Sequence, residues 1–209
     1  YMTGAAGASA MSGGTRASAA GALAAPGFAF TEGRIVAQRG ARHVREFDLA
    51  GRSRPAVSVG SSEHFALPRL HNGLRDVGVW LGWFGPLSRP LQALSAAGAL
   101  GARVPGYERA LDALAARFAK GSSGGPDTAA RARTRSSIIA VASDRAGAPL
   151  AAVRLEGVNP YDFTAEMLAW GAMRALDGGL QGTGALGPVD GFGLDELEAA
   201  MAGAGMTRV

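Results

Sequence analysis

Two places in this 209-residue chain set strand-like runs only four residues apart, and that spacing most narrows what it can fold into. "HVREFDL" (His43–Leu49) precedes "RPAVSVG" (Arg54–Gly60) across "AGRS", and "RSSIIAVASD" (Arg135–Asp144) precedes "PLAAVRLEG" (Pro149–Gly157) across "RAGA". Parallel strands need a crossover of about a dozen residues, so linkers this short predict antiparallel hairpins. Helical patterns fall between and after the hairpins at irregular intervals. A doubly wound parallel sheet would need strand and helix to alternate, and they do not. The expectation is an α+β fold: a mixed, mainly antiparallel sheet with helices on one face.

The helices are read from their ends and stripes. Ser12 caps a helix over about 15–25 that Pro26-Gly27 ends. "SSEHFALPRL" reads as a short helix capped by Ser61 or Ser62 and stopped at Pro68. "DVGVWLGWF" (Asp76–Phe84) is an apolar strand, followed by helices over about 87–100 and 107–120. In the second, Tyr107, Leu111, Leu114 and Phe118 form one stripe. Asn159 as cap, Pro160 in the first position and Asp162 in the first turn start a helix that Asp177-Gly178-Gly179 ends near residue 176. A loop through Pro188 leads to a last helix over about 194–204. Residues 1–11 read as a ragged lead-in and 12–209 as a single domain.

Composition excludes several classes. The chain has no cysteine, so thiol catalysis, thiolate metal sites and disulfides are out. All but one of its 21 basic residues, Lys120, are arginine, and the formal net charge is +4. The arginines are scattered and do not interleave with aromatics, which argues against a nucleic-acid surface. The longest apolar run, Val77–Leu87, is far short of the roughly 20 residues of a membrane helix. A cytoplasmic location and no transmembrane segment are expected.

Four stretches carry candidate chemistry. "GTGALG" (Gly182–Gly187) spells a dinucleotide fingerprint, but a helix precedes it and Pro188 follows it. The motif binds pyrophosphate only between a strand and a helix, so it is set aside. "SGGT" places Gly13, Gly14, Thr15 and Ser18 at a helix start, where free N–H groups and hydroxyls suit an anionic ligand. Plain capping is the commoner use of such a stretch. "SSEHFALPRLH" gathers Glu63, His64, Arg69 and His71. His64 is either a proton-transfer group with Glu63 as partner or a partly buried structural histidine, the commoner fate. No third ligand completes a metal site there. Trp80, Trp83, Phe84, Phe163 and Trp170 would line an apolar pocket or simply fill the core.

Together, "SGGTRASA", "SEHFALPRLH", "VWLGWFGPLSRPLQ", "VRLEGVNPYDFTAEMLAWGAMRAL" and "GALGPVDGFGLDELE" resemble the C-terminal part of saccharopine dehydrogenase-like oxidoreductases, a family that includes trans-acting enoyl reductases. The resemblance runs from Ser12 onward. It implies a substrate and dimerisation domain that follows an N-terminal Rossmann domain absent from this chain. NADP or NAD would be bound mainly by that missing domain. The substrate would be a small molecule, acyl or lipid-like, and the assembly a homodimer. In this frame His64 and Glu63 are the catalytic candidates, while Gly13, Gly14, Thr15, Ser18, Arg69 and Trp83 face substrate. The alternative expectation is a non-catalytic lipid-associated or scaffold domain without redox activity.

Overall fold

The computed structural model describes residues 1–3, 12–14, 18, 27–49, 51–101, 106 and 125–209. The expected helix over 107–120 lies outside them, as does the one over 15–25 apart from Ser18, which is helical. Within the described residues the chain is α+β, with three small sheets, antiparallel throughout. Backbone contacts divide it into two compact units, one of residues 7–126 and one of residues 1–6 with 127–209. No described helix is long and apolar enough to cross a membrane.

The first unit holds two sheets. Strands β2 (Phe28–Thr31) and β3 (Arg34–Ala37) form a hairpin, and β4 (Val44–Leu49), β5 (Arg52–Ser58) and β6 (Trp80–Leu81) form a three-stranded sheet in that order. The β4–β5 hairpin is the one the sequence predicts, with a tighter turn. Leu49 pairs with Arg52, and the Gly51 N–H donates to Asp48 Oδ1 at 3.0 Å. Pro55 sits inside β5 opposite Glu46. Helix α1 spans Glu63–Leu70 and α2 spans Ser88–Gly101, the latter entered through a 3-10 turn at Gly85–Leu87.

Two expectations are corrected here. Pro68 does not stop α1: the helix continues to Leu70 and closes with the His71 N–H on Leu67 O. In so short a helix the missing Pro68 N–H costs one bond near the end, where neighbouring groups are solvated. The strand expected over 76–84 shrinks to Trp80–Leu81, with one further bridge between Val77 and Phe30. Its apolar residues serve two different partners, β2 and β5, so no continuous ladder forms.

Among the described residues the buried side chains of this unit are mostly small: Ala41, Ala56, Val57 and Val79, with Ser58, Ser88 and Ser95, beside the larger Phe30 and His64. Ser88, Gln92 and Ser95 stand at i, i+4 and i+7, so one stripe of α2 faces the sheet. Ser88 Oγ donates to Pro55 O at 3.2 Å, Gln92 Nε2 to Arg42 O at 2.8 Å and Ser95 Oγ to Gly40 O at 2.5 Å.

The second unit carries a four-stranded sheet in the order β1 (Met2–Thr3), β7 (Ser136–Ser143), β8 (Pro149–Gly157), β9 (Met206–Arg208). The β7–β8 hairpin is again as expected, with a bulge at Ala142/Ser143. Helix α3 (Thr128–Arg133) leads into it, capped by Asp127, which accepts the Ala130 N–H at 2.7 Å. Helix α4 (Pro160–Leu176) has the predicted start: Asn159 Oδ1 accepts the N–H groups of Tyr161 and Asp162, each at 3.0 Å. Two short elements were not anticipated around the last helix, α6 (Leu194–Gly203): helix α5 (Pro188–Phe192), where a loop is expected, and β9 after it. Strand β9 packs so closely on β8 that a Cβ at Gly157 would overlap Gly205 O.

The β2–β3 turn yields a test. Glu32 and Gly33 both adopt positive φ, 51° and 79°, the mirror-image turn that suits a twisted hairpin. Glu32 has a Cβ and needs outside support there. Asp76 supplies it: Thr31 Oγ1 donates to Oδ1 at 2.5 Å and the Glu32 N–H at 3.2 Å. Those bonds, the hydroxyl's first, hold the Asp76 carboxyl below its ordinary 3.8. A carboxyl depressed in the folded state stabilises above its unfolded pKa, and that contribution is lost as pH falls through the folded one. Asp76→Ala should therefore cost about 0.5 kcal/mol at neutral pH after solvent screening of this exposed group. Urea unfolding of both proteins should show that difference vanish in acid, below the carboxylate range.

Candidate active site

Helix α1 brings Glu63, His64 and Arg69 onto one element, and its start at Ser61-Ser62 organises them. His64 is 2% exposed, the one buried residue of α1. Its ring meets Phe28 edge-on with centroids 5.6 Å apart, and Phe28 also packs on Phe65 at 5.1 Å. A Cβ on Gly60 would meet the Phe28 ring at 3.2 Å, so glycine there lets the chain turn into α1 beside the aromatic pair.

The polar side of the imidazole is held by backbone. His64 Nδ1 lies 3.1 Å from the Ser61 amide nitrogen and 3.0 Å from the Ser61 carbonyl oxygen. That carbonyl also accepts the His64 N–H at 3.2 Å. In either tautomer Ser61 engages Nδ1, and Nε2 is the nitrogen left for other chemistry. Glu63 Oε2 accepts from the Ser61 hydroxyl and, at 3.3 Å, from the Ser62 hydroxyl. Ser61 thus binds both candidates, the histidine through its backbone and the carboxylate through its hydroxyl. The sequence reading saw Ser61 only as a cap; its position three residues before His64 was the available signal. Ser62, the residue at the cap position, makes no side-chain cap bond.

Arg69 lies exposed in the last turn of α1, and His71 is exposed just beyond it. Trp83 is half-buried, and its indole N–H is buried with no acceptor among the described residues. An unmet buried donor costs about 1–3 kcal/mol, which a ligand oxygen would recover. Among the described residues no hydrogen bond or ring contact joins Trp83 to α1. Gly13 and Gly14 are helical, Gly13 buried and Gly14 exposed, with half-buried Ser12 before them. Ser18 is exposed and helical, while Thr15 lies outside the described residues.

The five aromatics considered for one pocket belong to two different units. Trp80 stacks edge-on against Phe47 at 6.0 Å in one, and Trp170 packs on Phe192 at 4.8 Å in the other. The "GTGALG" stretch borders an apolar hollow of about 530 Å³ with Leu180, Pro188 and Phe192. Helix α4 precedes it and the five-residue α5 follows. No strand leads into it, so these residues do not fit a dinucleotide pyrophosphate. Among the described residues no three His, Asp or Glu side chains converge as a metal site.

Compared with known protein families and with curated proteins, the chain matches none.

The held imidazole makes a stability test. His64→Ala should lower stability by about 2 kcal/mol, from the cavity beside Phe28 and the lost bond to Ser61. His64→Asn, whose Oδ1 can take the place of Nδ1, should lose less. Chemical denaturation of the two variants measures the difference.

Proposed function

We propose that this chain is the substrate-facing and oligomerisation part of a saccharopine dehydrogenase-like, NAD(P)-dependent oxidoreductase that works in the cytoplasm. Its substrate is a small molecule, acyl or lipid-like, whose C=C, C=O or C=N bond is reduced. NADP or NAD is held mainly by a nucleotide-binding domain outside these 209 residues, and the Gly182–Gly187 stretch does not fit its pyrophosphate. The phrases from Ser12 onward that resemble the family support this reading. The observation that carries it is the anchored imidazole. Ser61 fixes Nδ1 of His64, so Nε2 is available to hold or deliver a proton at a set position. Glu63 stabilises that arrangement through Ser61. Arg69 offers a planar fork to an acidic group of the substrate, and the Trp83 indole N–H donates to a ligand oxygen.

The test uses the natural gene product that carries the nucleotide-binding part. It should oxidise NADPH with an enoyl or carbonyl substrate, and His64→Asn should lower kcat at least about 100-fold while thermal stability stays within a few degrees. A complete product that neither binds nor oxidises NAD(P)H would sink the oxidoreductase reading.

A second reading, a non-catalytic lipid-associated or scaffold domain, draws on a different observation. Leu150 on the β7–β8 hairpin is 72% exposed, and Leu168 and Leu176 on α4 are 70% and 80% exposed. Where such side chains form a contiguous patch they mark a surface used for association. Both readings expect a homodimer. Light scattering should give twice the chain mass, and the pair Leu168→Glu with Leu176→Glu should halve it. A monomeric wild type would remove dimerisation from either reading.

A further inference from the structure

The unit that holds His64 also holds two arginines that no reading so far uses. Residues 38–43, between β3 and β4, are tied down from three sides. The Ala41 N–H donates to Ser58 O at 2.8 Å and the His43 N–H to Ser58 Oγ at 3.1 Å. Gln92 and Ser95 of α2 hold the carbonyls of Arg42 and Gly40. On the other side the Gln38 N–H donates to Gly27 O at 2.9 Å, and a Cβ on Gly27 would meet Gln38 O at 2.6 Å. Ala41, 1% exposed, is held at φ 52°, a left-handed conformation that a residue with a Cβ keeps only when its surroundings impose it.

This rigid loop presents Arg39 and Arg42 to one hollow of about 400 Å³, lined by Gly27, Ala37, Gln38, Arg39 and Arg42. Arg39 is half-buried and pre-set. Its Nη1 points at Ser95 Oγ (3.0 Å), Gln92 O (3.3 Å) and Ala41 O (3.4 Å), and its Nε and Nη2 have no partner among the described residues. Arg42 is exposed, and its guanidinium has no partner among the described residues either. No carboxylate stands among the described lining residues. Two like charges sharing a hollow without an acid repel each other, and an anion between them removes that repulsion.

We propose that this hollow is a binding site for a phosphate group. The guanidinium fork matches phosphate oxygens bidentately, and the free Nε–Nη2 edge of Arg39 is the edge such a contact uses. Two positive charges bordering one hollow, Arg39 held in place and Arg42 free to close on it, match a phosphate dianion better than a single carboxylate. The same chemistry is offered by a soluble phosphorylated compound and by an anionic lipid headgroup. The inference rests on residues 27–42 and α2 and is independent of the oxidoreductase reading.

Calorimetric titration of the whole chain with inorganic pyrophosphate at low ionic strength tests it, alongside flotation with phosphatidylcholine vesicles with and without phosphatidic acid. Saturable binding of pyrophosphate places the site among those for soluble phosphates; flotation that requires phosphatidic acid, without pyrophosphate binding, assigns it to a headgroup. In either arm Arg42→Gln should weaken binding about tenfold, the loss expected for one charged hydrogen-bonding group. Arg52→Gln makes the same change in net charge outside the hollow and should leave binding unchanged. Arg39→Lys keeps the charge without the fork and should also weaken it. Equal weakening by Arg42→Gln and Arg52→Gln, or neither saturable pyrophosphate binding nor phosphatidic-acid-dependent flotation, overturns the proposal.

Discussion

The polar stripe of α2 is the contact on which the first unit depends. Ser88, Gln92 and Ser95 take up the carbonyls of Pro55, Arg42 and Gly40. A buried carbonyl left unmet costs about 1–3 kcal/mol, as much as burying a Val or Leu side chain contributes. Among the described residues the largest fully buried side chains are Val57 and Ser88. Among such small groups, the satisfied carbonyls of Gly40 and Pro55 weigh as much as the apolar contacts around them. An alanine stripe on α2 would fit the same space and leave the Gly40 and Pro55 carbonyls without these partners. The serines also let the helix approach β5 closely enough for Ser88 to be fully buried.

Backbone groups organise the functional features as well. Ser61 holds the His64 imidazole through its own amide and carbonyl, and Gln92 and Ser95 orient Arg39 while they close the loop beside it. In both places the side chain available for chemistry is positioned by main chain that the fold has already fixed. The second unit is joined differently. Bidentate Arg174–Glu196 links α4 to α6 and Arg131–Asp162 links α3 to α4. All four side chains are a third or more exposed, and pairs of this kind contribute little each, so β-pairing and capping carry more of that unit.

Local signals carried further than longer-range ones. The two hairpins were legible because a four-residue linker leaves the chain no other route. The start of α4 was legible because Asn159, Pro160 and Asp162 act within one turn. The strand expected at 76–84 failed because alternation reveals an apolar run but not which neighbours share it; Val77 goes to Phe30 and Trp80 to Ser58. Helix α5 and strand β9 were invisible for the opposite reason. Five residues are too few to show a helical period, and β9 is a strand only because Gly157 and Gly205 admit it against β8. At the site, the sequence set His64 beside Glu63, but the residue that engages both, Ser61, acts through backbone atoms that carry no mark in the sequence.

The sequence by itself determined the α+β class, the two antiparallel hairpins, the short helix bearing His64 and the absence of thiol chemistry. Each of these follows from residue type or from neighbours within a few positions. Tertiary structure alone decided that α2 faces the sheet with serines, that Ser61 engages the imidazole and that Arg39 and Arg42 share one hollow. Those outcomes depend on which distant backbone groups need partners, such as Gly40 O from Ser95, 55 residues away in the chain. No local pattern records that requirement.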